Sequence, residues 1–147
     1  MSLIKNLTAG FLGSVALNLL HETLRKYGND VPRVNLVGEE ALNKTLVAAG
    51  KEPITDEEEL YKATLKADLI SNTVYYSMIG GKRSLIWPKA IFFGLSAGLG
   101  AVNLPDKLGL DPTPVNSTEQ KKLLTVGYYL FGALVTGYVL RKLTKSN

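Results

Sequence analysis

"KLLTVGYYLFGALVTGYVLRK", residues 122–142, decides the fold. Between its basic ends run 18 uncharged residues, Leu123 to Leu140, with tyrosines at both levels. At ~1.5 Å per residue, a helix of that length crosses the hydrocarbon of a bilayer with little tilt. Upstream, Ser117 and Gln120 have the spacing of a capping box, in which two side chains satisfy free amides at a helix start. A membrane-spanning helix over about 121–141 is therefore expected.

The rest of the chain repeats the pattern. It has 147 residues, enough for one domain, and 46% of them are hydrophobic. Spread evenly, that share is ordinary for a soluble protein. Here it is concentrated: charge is absent from Leu7 to Leu20, Leu69 to Gly81 and Ala90 to Pro105, whereas Arg25 to Lys66 is densely charged. In "SLIWPKAIFFGLSAGLGAVNLP" (84–105), Trp87 sits where interface aromatics sit. Pro88 falls in the first turn, where a missing N–H costs nothing, and Lys89 is close enough to the end to snorkel. The first apolar segment, about 3–26, starts like a secretory signal because Lys5 precedes it, but His-Glu-Thr follows Leu20 in place of a cleavage pattern. It reads as a retained span.

The fourth candidate is "TDEEELYKATLKADLISNTVYYSMIGG" (55–81). Thr55 and Glu58 are spaced as a capping box, acids fill the first turn, and Gly80 and Gly81 close the helix. Lys66 and Asp68 would each cost ~2.5–3.5 kcal/mol at the bilayer centre, so this helix needs neighbours to insert. If all four cross, Met1 to Asn6, Gly80 to Ser84 and Arg141 to Asn147 share a side and hold six Lys/Arg without an acid. That density marks the cytoplasmic face of a bacterial inner membrane, with both termini on it, although the opposite face carries ten Lys/Arg in a much longer stretch. A three-span alternative, with helix 55–79 on the surface, would export the basic tail and ranks second. Between the first two spans, Leu42, Leu46, Val47 and Ala49 give a short amphipathic helix over about 37–49, ended by Gly50 and Pro53. The expected fold is all-α: one domain, 1–147, an integral membrane four-helix bundle with spans about 3–26, 63–80, 84–104 and 121–141. The short amphipathic helix lies on its outer side.

Helices in lipid associate through close backbone approach, because lipid chains are as apolar as leucine. Small residues spaced by four mark such faces: Ala9 and Gly13, Gly10 and Ser14, Gly94 and Gly98, Ser96 and Gly100, Ala133 and Gly137. They serve contacts within the chain or with a second copy equally well.

Several chemistries are excluded or left poor. There is no cysteine and a single histidine, His21, so disulfides, thiolate sites and a bis-histidine haem are out. The pI near 9.2 suggests nucleic acid, but the positive charge forms no stripe with interleaved aromatics, so no nucleic-acid partner is expected. "GLSAGLG" lacks the Lys-Ser/Thr of a phosphate loop. Glu57, Glu58 and Glu59 read as a helix-start cluster, and no metal site is expected. A serine nucleophile would need His21 as base, and Ser14 is poorly placed to use it. No catalytic residue, no cofactor and no enzymatic activity are expected.

Two polar stripes remain. Ser14, Asn18, His21, Glu22 and Arg25 share one face of the first helix; Thr64, Asp68, Ser71, Asn72, Tyr75 and Tyr76 share a face of the long helix. In a bilayer they should face each other. With Ile4 level with Ile79, Glu22 lies ~27 Å and Asp68 ~16 Å from the inner edge. Glu22 should then pair with Lys62 or Lys26 and Asp68 with Ser14 or Asn18, while His21 and Asp68 sit at different depths. His21 and Glu22 read as anchors of the helix end near the outer interface; the functional alternative makes His21 a proton acceptor or ligand contact. Asp68 is the stronger functional candidate, since an acid near mid-membrane is expensive.

The stretch "HETLRKYGNDVPRVNLVGEEAL" (21–42), where an Ala/Gly-rich span leads through a Pro-Arg turn into a short helix, resembles the opening of uncharacterised small bacterial multi-pass membrane proteins. The resemblance covers about the first third of the chain and implies an envelope location without an activity. Two functions are open. The first is a structural or accessory helical unit in the lipid bilayer, self-associating or part of a larger membrane complex, packed through Gly10, Gly13, Gly94, Gly98, Ala133 and Gly137. The second is a small transporter or binder of a proton, ion or hydrophobic ligand (quinone or lipid) centred on Asp68, with Asn72, Asn18, His21, Glu22 and Tyr75. A cavity reaching Asp68 favours the second; a packed, fully satisfied Asp68 favours the first.

Overall fold

The computed structural model describes residues 1–144, so Lys145 of the expected basic tail lies outside the described residues. These residues are all-helical: α1 (Leu3–Tyr27), α2 (Val34–Ala48), α3 (Glu57–Ser77), α4 (Ile86–Lys107, entered through a 3-10 turn at Arg83–Leu85), a short α5 (Thr113–Asn116) and α6 (Glu119–Leu143). Three helical stretches, Leu3–Tyr27, Arg83–Lys107 and Glu119–Leu143, are long and apolar enough to cross a membrane. Only 28% to 39% of each apolar window is buried inside the protein. Much of the remainder faces outward, including Phe11, Leu19, Phe92, Leu99 and Phe131.

The caps differ from the expected capping boxes by one residue. Asp56, not Thr55, caps α3, accepting from the Glu59 amide at 2.9 Å. Thr118, not Ser117, caps α6, accepting from the Lys121 amide at 3.1 Å. In both, neighbouring polar residues compete for one geometric role, and the one with extended backbone wins. Gln120 is thereby released from capping, and its amide donates to the carbonyls of Asn29 (2.9 Å) and Asp30 (3.2 Å), tying the α1–α2 turn to the start of α6. The long helix ends at Ser77, ahead of Gly80 and Gly81. α2 starts at Val34, earlier than expected, because its first turn packs inward and so lacks a surface amphipathic pattern.

α1 and α6 form the inner pair, with α3 laid on α1 and α4 on α6. Glycines set these distances. A methyl group on Gly13 would collide with the Thr136 hydroxyl and come 2.5 Å from the Gly132 carbonyl of α6, and one on Gly10 would collide with the Thr73 carbonyl. One on Gly94 would lie 2.9 Å from Ala133 Cβ, one on Gly98 2.6 Å from Val126 Cα, and one on Gly137 3.2 Å from Ala90 Cβ. Gly10, Gly13, Gly94, Gly98, Ala133 and Gly137 therefore all serve contacts inside the chain. Gly132 does the same, its backbone lying beneath the Tyr76 hydroxyl. The core between the helices is built from Leu17, Tyr76, Ile79, Ile86, Ala90, Tyr128, Ala133 and Leu140.

The basic residues at one end are used on helix C-termini, where unpaired carbonyls and the helix dipole favour cations. Lys5 Nζ donates to the Leu143 carbonyl at 3.1 Å, Arg83 to the Arg141 carbonyl at 3.2 Å, and Lys89 to the Gly80 carbonyl at 2.6 Å. Lys89 thus closes the α3–α4 turn, whereas the sequence suggested a free anchor.

At the opposite end α2 lies across the space between α3 and the α4–α6 connection. Asn43 holds its far end by a two-way bond with Ile54, accepting the amide at 2.8 Å and donating to the carbonyl at 3.0 Å. Lys44 reaches the Gly109 carbonyl, Glu40 accepts the Asp111 amide at 2.9 Å, and the Arg33 amide donates to Pro114. The Thr113 amide in turn donates to Asp111 Oδ1 at 3.0 Å, holding that carboxyl below its ordinary range.

Candidate functional site

α3 and α4 each pack on a different inner helix, and they diverge. Near the basic end they are joined by the Tyr75 hydroxyl, which donates to the Phe93 carbonyl at 2.9 Å, with the two rings edge-on at 5.2 Å. Beyond that tie lies a groove of about 420 Å³. α4 walls it with Ser96, Ala97, Gly100 and Ala101, α3 contributes Asp68 and Tyr75, and α2 roofs it with Val34, Val37, Gly38 and Ala41. Most of the wall is aliphatic. Ser96 and Gly100, expected as a helix-packing pair, line this space, because α3 diverges from that face of α4 and α2 only roofs the gap.

Against the inner side of the groove lies a second, small chamber of about 20 Å³, and Val34, Asp68 and Tyr129 border both. His21, Asn35, Thr64 and Tyr128 line the chamber, and each is at least nine-tenths buried. In each, one buried polar atom has no hydrogen-bond partner among the described residues: His21 Nε2, Asn35 Oδ1, Thr64 Oγ1 and the Tyr128 hydroxyl. Such a group ordinarily costs ~1–3 kcal/mol. The volume exceeds the ~10–15 Å³ that one water-sized group needs.

The neighbouring groups are spent. Glu22 pairs with Arg25 at 2.7 Å on its own helix, not with Lys62 or Lys26; Lys62 pairs with Glu58, also at 2.7 Å. In each case a partner one turn away on the same helix is reached before one across the interface. His21 Nδ1 lies 3.6 Å from Glu22 Oε1, and the Pro32 backbone lies beside the imidazole. Its ring stands edge-on to Tyr128, centroids 5.7 Å apart. His21 is thus buried under residues 32–35, not set at an open helix end.

The expected partners of Asp68 are also occupied elsewhere. The Ser14 hydroxyl donates to the Leu69 carbonyl at 3.4 Å, and Asn18 Nδ2 donates to the Ser14 carbonyl at 2.9 Å. No hydrogen bond or ion pair engages the Asp68 carboxylate among the described residues. His21 and Asp68, placed ~9 Å apart in depth by helix rise alone, border the same chamber.

All six ligand-site candidates fall on these two spaces. Asp68 borders both, Asn18, Asn72, His21 and Glu22 border the chamber, and Tyr75 borders the groove. Sequence reasoning missed Asn35, Gly38, Tyr128 and Tyr129. A methyl on Gly38 would lie 2.9 Å from Thr64 Cγ2 and 3.7 Å from Asp68 Oδ1, so this glycine is what lets α2 settle over the carboxylate. The only signal was a glycine inside a short amphipathic helix, where it costs stability unless something needs the space. Tyr128 and Tyr129 read as interface aromatics. No group of three or more His, Cys, Asp or Glu side chains among the described residues is arranged to hold a metal ion. No family model, no curated protein and no solved structure matches the chain.

Proposed function

We propose that this is an integral membrane protein of four spans whose helical frame holds a binding site for a hydrophobic molecule with a polar head. The body of that molecule occupies the groove between α3 and α4, and its head sits at Asp68. The carrying observation is the groove of about 420 Å³ that reaches Asp68, within the size range of small-molecule sites. Asp68 is not packed away and satisfied, as a purely structural role would have it.

The fourth span in this reading is α3. Ile70, Val74 and Met78 recur every four residues on its outward face and are 68%, 56% and 48% exposed, continuing the apolar surface of the other helices. With α3 inserted, both termini lie on the cytoplasmic side of a bacterial inner membrane, where Lys5, Lys82, Arg83, Arg141 and Lys142 gather. The reading as a structural or accessory unit has less support, because the small-residue faces it relies on are consumed within the chain. Self-association would have to use other surfaces.

Two measurements test this. The chain has no cysteine, so single cysteines at Ser84 and Asp56 can be labelled with an impermeant maleimide in sealed vesicles. Labelling from opposite sides is expected, and labelling from the same side overturns the crossing of α3. For the groove, saturable binding of decanol to the protein in lipid nanodiscs is expected, and its loss in Gly100→Leu. A methyl on Gly100 meets only the flexible Leu104 side chain, at 3.3 Å, so this change fills the groove and leaves the fold. Absence of saturable binding, or equal binding by the variant, overturns the site.

A further inference from the structure

We infer that the groove selects a lipophilic primary amine, with its ammonium group in the small chamber at Asp68 and its apolar body between α3 and α4. This rests on the groove reading above and adds the chemistry of the head. The Asp68 carboxylate decides it. It can only accept hydrogen bonds, and it borders both the chamber and the groove. His21 Nε2, Asn35 Oδ1, Thr64 Oγ1 and the Tyr128 hydroxyl expose almost no surface and are shut off from an occupant. The N–H groups on the wall come from Asn18 and Asn72, and neither donates to Asp68 among the described residues.

An occupant that meets this carboxylate must therefore bring hydrogen-bond donors. It must also bring positive charge, since Glu22 is neutralised by Arg25 whereas Asp68 has no ion pair among the described residues. A carboxylate or phosphate head would be repelled, and a neutral alcohol would supply one donor and no charge. A primary ammonium supplies three donors and a charge. Its nitrogen is close to a water molecule in size, which suits a chamber of about 20 Å³ and excludes a trimethylammonium group. The aliphatic wall of the groove takes the rest of the molecule.

The test compares decylamine, decanol and decyltrimethylammonium for displaceable binding to the full chain in lipid nanodiscs. Decylamine should bind about tenfold or more tighter than decanol, reflecting charge-assisted hydrogen bonds, and tighter than the trimethyl analogue. In Asp68→Asn the amine preference should fall to near parity with decanol binding retained, while Asp68→Glu keeps part of it. Decanol binding as tight as decylamine in the wild type overturns the inference and leaves the groove standing. An amine preference that survives in Asp68→Asn also overturns it. Should Asp68→Asn fail to fold, the wild-type comparison decides alone: a trimethylammonium probe that matches the primary amine shows that the chamber is not the head site. Failure of all three probes to bind saturably removes the groove reading itself.

Discussion

The seam between α4 and α6 and the gap between α4 and α3 are lined by the same kind of residue and do opposite things. On the seam, Ala90, Gly94 and Gly98 of α4 meet Gly137, Ala133 and Val126 of α6 so closely that an added methyl has nowhere to go. On the gap, Ser96, Ala97, Gly100 and Ala101 face a groove of about 420 Å³. The difference teaches that a small residue on a long apolar helix has no fixed meaning. Where a second helix arrives, small size becomes contact; where it does not, small size becomes room. α3 is kept from closing the gap because it is committed to α1, where Gly10 seats its backbone, and because α2 wedges over its upper half with Gly38 against Thr64.

The sharpest way to break this comparison is to enlarge both faces of α4. Gly94→Leu with Gly98→Leu should cost about 2–6 kcal/mol, one overpacking penalty at each site. Thermal unfolding and size-exclusion profiles in detergent should show loss of the compact species, and an unchanged profile would mean the seam is not tight. Gly100→Leu, on the other face of the same helix, should shift the unfolding midpoint little while abolishing probe binding. Cutting the tie at the foot of the groove, Tyr75→Phe, removes the 2.9 Å bond to the Phe93 carbonyl and should cost about 0.5–1.5 kcal/mol. Measured by unfolding in detergent, a larger loss would show that Tyr75 holds α3 and α4 together rather than limiting the gap between them. The smallest effect is expected from Lys62→Ala: its partner Glu58 is 77% exposed, so stability should change by under about 0.5 kcal/mol, and a larger shift would place this pair in the frame itself.

Much of the helical plan was legible in the residues. The uncharged runs from Leu7, Ala90 and Leu123 lie within α1, α4 and α6, and the acidic first turn of α3 is seen at Glu57, Glu58 and Glu59. The site was legible only in part. Asp68 stood out because an acid on an apolar stretch is costly, but its supposed partners Ser14 and Asn18 bond backbone carbonyls instead. Glu22 found Arg25, one turn along. Asn35 and Gly38 carried almost no signal, since α2 is short and its inward face matters only once it lies over α3.

What the sequence by itself determined is which segments are helices and that much of their surface suits an apolar medium. Helix hydrogen bonds close within a segment, and hydropathy is a property of consecutive residues. What only the tertiary structure decided is which small faces touch, which enclose space, and that Asp68, without a partner among the described residues, lies between a small polar chamber and an aliphatic groove. Those outcomes depend on backbones as far apart in the chain as Gly13 and Thr136 arriving at one place, and no local pattern encodes which of several similar faces will meet.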